Sequence, residues 1–99
     1  MAVRVELREG GVLVAGVEQW WDDLEEALGR EEEHFALLES ISPYGQVNIP
    51  RERLSDLADE CRRLGPRVGD SVKSLLLKIA ELCDRAAAGA DSELRFDGD

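Results

Sequence analysis

The chain has 99 residues, of which 43% are apolar and 34% are charged, and its formal net charge is −10. This length predicts a single domain over residues 1–99 with one modest core. Acids outnumber bases 22 to 12, which argues against binding to nucleic acid or to an anionic membrane surface. The sequence has no long apolar run, and charges interrupt its first eleven positions, so we expect a cytoplasmic protein without a membrane span.

The first seventeen residues have the pattern of a β-hairpin. Apolar residues at positions 3, 5 and 7 alternate with charged ones, as in a strand with one buried face. Gly10 and Gly11 supply the positive φ that a tight turn requires. Residues 12–17 are apolar almost throughout, which predicts a second strand that is covered on both faces or lies at the centre of a sheet.

From Val17 or Glu18 the apolar period changes to 3.6, which predicts a helix that ends near Gly29. Trp20 and Trp21 both fall on its apolar face, within an arc of about 120°. We therefore predict that the two tryptophans anchor this helix to the sheet.

The segment over residues 31–49 has the weakest periodicity. For residues 31–41 the sequence is compatible with two structures: another turn or two of helix, or an irregular stretch whose apolar side chains point inward. Residues 42–45 fit a β-turn with proline at its second position. Residues 46–49 are predicted to be extended because a residue before proline avoids the helical region.

Two further helices and a last strand complete the predicted fold. One helix follows Pro50 and is ended by Gly65 and Pro66, and the other runs from Asp70 or Ser71 to Gly89. Residues 92–99 resemble a short edge strand. This order predicts an α+β fold, in which the N-terminal hairpin and the C-terminal strand form a small antiparallel sheet covered by about three helices.

The two cysteines, Cys61 and Cys83, fall on the apolar faces of the last two predicted helices. A symmetric helical hairpin would offset them by on the order of 15 Å along the axis, too far for a disulfide. We therefore predict two free, buried thiols.

No motif in the sequence predicts catalysis, a cofactor or a dedicated metal site. His34 follows three glutamates and could act as a general base in hydrolysis, but no serine lies in a nucleophile context. Zinc spacings, calcium loops and phosphate-binding glycine motifs are all missing from the sequence. We predict a protein that is not an enzyme, with a solvated His34 favoured over a catalytic one.

Acidic residues concentrate between positions 20 and 34, where seven acids and one base account for −6 of the net charge. Within the predicted helix the like charges recur three and four residues apart, which costs a few tenths of a kcal/mol per pair. Helix stability therefore does not explain them, and both a solvated helix face and a partner-binding surface remain open. The candidate partner-binding residues are Asp22, Asp23, Glu25, Glu26, Glu31, Glu32, Glu33 and Tyr44.

These features favour a small acidic module that docks a basic partner protein, such as a toxin or an enzyme that acts on nucleic acid. In being short, acidic, poor in cysteine and without a catalytic signature, the chain is similar in type to immunity proteins, antitoxins and nuclease inhibitors. The alternative is an assembly subunit that acts as a homodimer. It rests on residues 75–77, three consecutive leucines that give the last helix more apolar surface than one face requires.

Overall fold

The computed structural model describes residues 2–41, 45–89 and 91–98. Within these ranges a β-hairpin is followed by two α-helices, a third strand, two further α-helices and a fourth strand, and short 3₁₀ turns cover Arg51–Arg53 and Gly65–Arg67. The strands are β1 (Ala2–Glu9), β2 (Val12–Trp20), β3 (Gln46–Ile49) and β4 (Ser92–Gly98). The helices are α1 (Asp22–Arg30), α2 (Ala36–Ser40), α3 (Leu54–Leu64) and α4 (Asp70–Ala88).

The four strands form one antiparallel sheet in the order β2-β1-β4-β3. The predicted α+β fold, with the hairpin and the C-terminal strand in one sheet, is therefore confirmed. The hairpin turn has φ of +58° at Gly10 and +82° at Gly11, as the glycines predicted. β4 is an internal strand rather than the predicted edge strand, because β3 pairs along its outer side.

The helices cover one face of the sheet, and the core lies between the two layers. Val3, Val5 and Leu7 of β1 and Leu94 and Phe96 of β4 are fully buried on this face. The predicted apolar faces of α3 and α4 are buried with them. In the described part of the chain, no helix combines the length and the apolar composition that crossing a bilayer requires.

β2 differs from its prediction in position and in length. It is an edge strand that pairs only with β1, and Val12 at its start is 66% exposed. The apolar run therefore does not mark a strand at the sheet centre. The strand also continues to Trp20, so α1 begins at Asp22 and not at Val17 or Glu18.

The two tryptophans consequently have opposite environments. Trp21 is fully buried, and its ring packs edge-to-face on Phe96 with centroids 6.2 Å apart. Trp20 is 63% exposed. The prediction of an anchor is correct for Trp21 and wrong for Trp20, since Trp20 is the last residue of the edge strand β2 whereas Trp21 is the first residue with helical φ and ψ, at the start of α1.

The start of α2 is held by one side chain from α3 and one from α2 itself. The buried carboxylate of Glu60 accepts hydrogen bonds from the backbone N–H groups of Leu37 (3.1 Å to Oε1) and Leu38 (3.1 Å to Oε1). Glu39 Oε2 accepts another from Phe35 N at 2.9 Å. These bonds satisfy N–H groups that every helix leaves free at its start, so a helix of only five residues is stable here.

Cys61 and Cys83 are free and buried, as predicted. The predicted axial offset between them is too large, because Arg62 of α3 and Asp84 of α4, the residues next to the two thiols, form an ion pair. Burial raises the pKa of both thiols, to about 12 for Cys83, and the nearby Cys83 raises the pKa of Cys61 further.

These raised pKa values predict a loss of stability at alkaline pH. An unfolded thiol ionises near pH 8.5, whereas the folded chain keeps both thiols protonated. The contribution of the two thiols to the free energy of unfolding is complete below about pH 8.5. As the pH rises from there toward 12, the free energy of unfolding falls by up to about 1.4 kcal/mol per pH unit for each thiol. Urea unfolding between pH 8 and 10 measures this slope. The C61A/C83A variant should show a flatter profile, and equal slopes in both proteins would contradict the interpretation.

Candidate partner-binding cleft

The structure divides the acidic block of residues 20–34 into two parts with different surroundings. The first part is the exposed surface of α1. Asp23, Glu25 and Glu26 point to solvent there together with Asp22, and Glu26 pairs with Arg30 one turn later. Trp21 and Leu24 bury the opposite side of the helix, which fixes the direction in which the acids project.

The second part of the block makes ion pairs within the chain. Glu31 Oε1 lies 2.8 Å from Arg67 Nη1, and Glu33 pairs with both Arg67 (3.1 Å) and Arg63. The two guanidinium groups also lie over the ring of Phe35, 5.2 and 5.9 Å from its centroid. Glu31 and Glu33 therefore neutralise neighbouring arginines and attach this segment to the end of α3.

Of the remaining predicted site residues, Glu32 is exposed and Tyr44 lies outside the described residues. His34 is almost fully exposed, and its Nδ1 is 3.8 Å from Glu39 Oε2. No histidine, cysteine or acid cluster suited to a metal ion occurs within residues 2–41, 45–89 and 91–98.

A cleft of about 430 Å³ lies between α1 and α2. Two carboxylates line it, Glu25 from α1 and Glu39 from α2, and both are exposed. Its remaining lining residues are Trp21, Leu28, Gly29, Leu38 and Ile41.

Trp21, which lines this cleft, is fully buried and carries an unpaired hydrogen-bond donor. Nε1 of Trp21 is buried and has no hydrogen-bond partner among the described atoms. A buried polar group without a partner costs about 1–3 kcal/mol, and this N–H group is not exposed at the cleft surface. Glu39 has one oxygen committed to the N–H of Phe35, while its other oxygen has no hydrogen bond within the described residues.

Sequence patterns identified Glu25 but not Glu39 as a site residue. The local sequence around Glu39 has no acidic run, and only the packing of α2 beside α1 brings the two carboxylates to one cleft. Comparisons with protein-family models, curated proteins and solved structures find no match to this chain.

Proposed function

We propose that the chain is a protein-binding module that docks a basic partner by receiving a lysine or arginine side chain in the cleft between α1 and α2. The observation that carries this proposal is the composition of the cleft, which combines two carboxylates with apolar walls and an indole. A long basic side chain has the complementary composition, with an apolar stem and a charged end.

Each part of the cleft has a role in this binding. Leu28, Leu38 and Ile41 cover the methylene groups of the entering side chain, and Glu25 and Glu39 accept hydrogen bonds from its charged end. Hydrogen bonds between ionised partners are roughly twice as strong as neutral ones.

The exposed acids of α1 extend the attraction beyond the cleft. A surface with charges of one sign accelerates the encounter with an oppositely charged protein, and salt reduces this effect. A cytoplasmic toxin or an enzyme that acts on nucleic acid has basic residues that hold phosphates, and their coverage would inhibit it. This corresponds to the mode of action of an immunity protein or an antitoxin.

Capture from a lysate of the native host tests the proposal when matched variants are compared. The wild-type chain should retain a basic protein that elutes as salt rises, and the E25Q/E39Q variant should retain it at least 10-fold more weakly. The glutamine at position 39 keeps an oxygen that can accept the hydrogen bond from Phe35 N.

The control is E52Q/D56N, which changes the net charge equally at two exposed positions around the start of α3. This variant should retain the partner as the wild type does. Equal losses of partner retention in both variants would show that retention depends on the overall charge of the chain and not on the cleft. Unchanged retention by E25Q/E39Q would likewise contradict a role for the cleft.

A further inference from the structure

The large apolar side chains that are exposed in the described chain lie together at one edge of the molecule. Four of the five are in β2, and the fifth, Leu77 of α4, is 46% exposed beside that strand. A cleft of about 350 Å³ between Val17 and Leu77 continues this surface onto the helix layer. The five side chains are Val12, Leu13, Val14, Trp20 and Leu77.

β2 also has a free backbone edge. It pairs with β1 on one side only, so alternate N–H and C=O groups along its nine residues face outward. Proteins usually protect such an edge with lysine or proline, and β2 contains neither. Its one ionisable residue, Glu18, is already paired with Arg4 at 3.2 Å.

We propose that β2 pairs antiparallel with β2 of a second copy of the chain, which joins two four-stranded sheets into one of eight strands. This interface is independent of the cleft between α1 and α2. The occupant is a second copy because the edge is almost free of charge in a chain with a net charge of −10.

A twofold axis would bring the basic residue beside β2 in each copy close to the acidic residue beside β2 in the other copy. Lys78 and Glu81 of α4 both line the cleft beside Val17, so Lys78 of one copy can pair with Glu81 of the other. Contacts between identical surfaces are the usual form of a dimer interface. Leu77 lines the same cleft and packs against Leu77 of the second copy.

The register of the pairing follows from a β-bulge. Val14 has no partner on β1, because Arg8 pairs with Leu13 and Leu7 pairs with Ala15. The centre of the pairing is therefore expected in the regular part of the strand, residues 15–20.

Centring the pair on Val17 places each Glu18 opposite Gly16 of the second copy. Centring it on Glu18 instead would oppose two like charges, which is destabilising. The chosen register also places Trp20 opposite Val14 of the second copy. The two β2 strands, each followed by α1, then end about 20 Å apart at opposite ends of the interface, which exceeds the screening length of about 10 Å at 0.1 M salt.

The size of this edge suits a dimer of moderate affinity. Nine strand residues extend about 30 Å, close to the 37 Å length of the molecule. A sheet layer and a helix layer together are about 20 Å thick, which gives roughly 600 Å² per copy and about 1,200 Å² in total. That total is at the lower limit for specific interfaces, so we expect a Kd in the micromolar range.

Sedimentation equilibrium of the full chain between about 1 and 500 μM tests the dimer. The wild-type chain should pass from the monomer to the dimer mass. L77K should weaken association at least 10-fold, and S55K, which adds the same charge at an exposed position of α3, should leave it unchanged. A wild-type chain that remains monomeric at 500 μM, or equal effects of the two variants, would overturn the proposal.

A cysteine at position 17 tests the register. V17C should form a disulfide between copies under mild oxidation, because Val17 faces its own equivalent across the twofold axis. S55C is the matched control, and the native thiols are buried in both variants. A covalent dimer with S55C but not with V17C would show that the copies associate through another surface.

Discussion

Replacing Trp21 with alanine is expected to lower the free energy of unfolding by about 3–5 kcal/mol. The side chain is fully buried, and its edge-to-face contact with Phe96 joins α1 to β4. Truncation would leave a large cavity beneath α1 and remove the residue that attaches this helix to the sheet. Urea unfolding followed by circular dichroism measures the loss.

The neighbouring tryptophan provides a matched control. W20A removes the same side chain one residue earlier, at a position that is 63% exposed, and should change the free energy of unfolding by less than about 1 kcal/mol. Both variants should be measured at a low micromolar concentration, where association through β2 contributes least. Equal losses would contradict the end of β2 at Trp20 and the start of α1 at Asp22.

The second large effect is expected at Glu60. The E60A substitution should lower the free energy of unfolding by about 2–4 kcal/mol, because the buried N–H groups of Leu37 and Leu38 lose a charged acceptor. The same measurement on E60Q should show a smaller loss, since its amide oxygen can still accept one of these bonds.

E52A serves as the control for Glu60, since Glu52 is an exposed acid in the 3₁₀ turn before α3. It should remain within about 0.5 kcal/mol of the wild type. If E60A were as stable as E52A, the carboxylate would not be the group that holds α2 in place.

The parts of the fold that the sequence predicted correctly have regular apolar periodicity. The alternation in residues 3–7 identified β1, and the 3.6-residue period identified the buried faces of α3 and α4. In these elements the side-chain pattern and the packing agree, because each has one face against the core.

The errors at β2 have one physical cause. A strand with few polar residues suggests burial on both faces, but burial depends on what lies beside the strand, and β2 lies at the sheet edge, where even Ala15 and Val17 are only partly buried against the core. Trp20 and Trp21 fit a helical face as well as they fit the end of a strand. Only the pairing of Trp20 with Ala2 shows that the strand continues.

The segment over residues 31–41 could not be predicted because distant residues determine its structure. Glu60, Arg63 and Arg67 lie more than twenty residues further along the chain, and their contacts position α2 and neutralise Glu31 and Glu33. The same contacts explain why part of the acidic block makes internal ion pairs while α1 keeps its acids exposed. The cleft likewise joins residues of two helices whose contact no local pattern shows.

Photo-crosslinking in the native host tests docking through the cleft most directly. Gly29 lines the cleft, and a Cβ added there meets nothing within 4 Å, so the photoreactive residue benzoylphenylalanine fits at position 29. Irradiation should join the chain to a basic protein, and the same residue at position 55 of α3 should yield no such adduct. Absence of the adduct at position 29, or equal adducts at both positions, would contradict docking through this cleft.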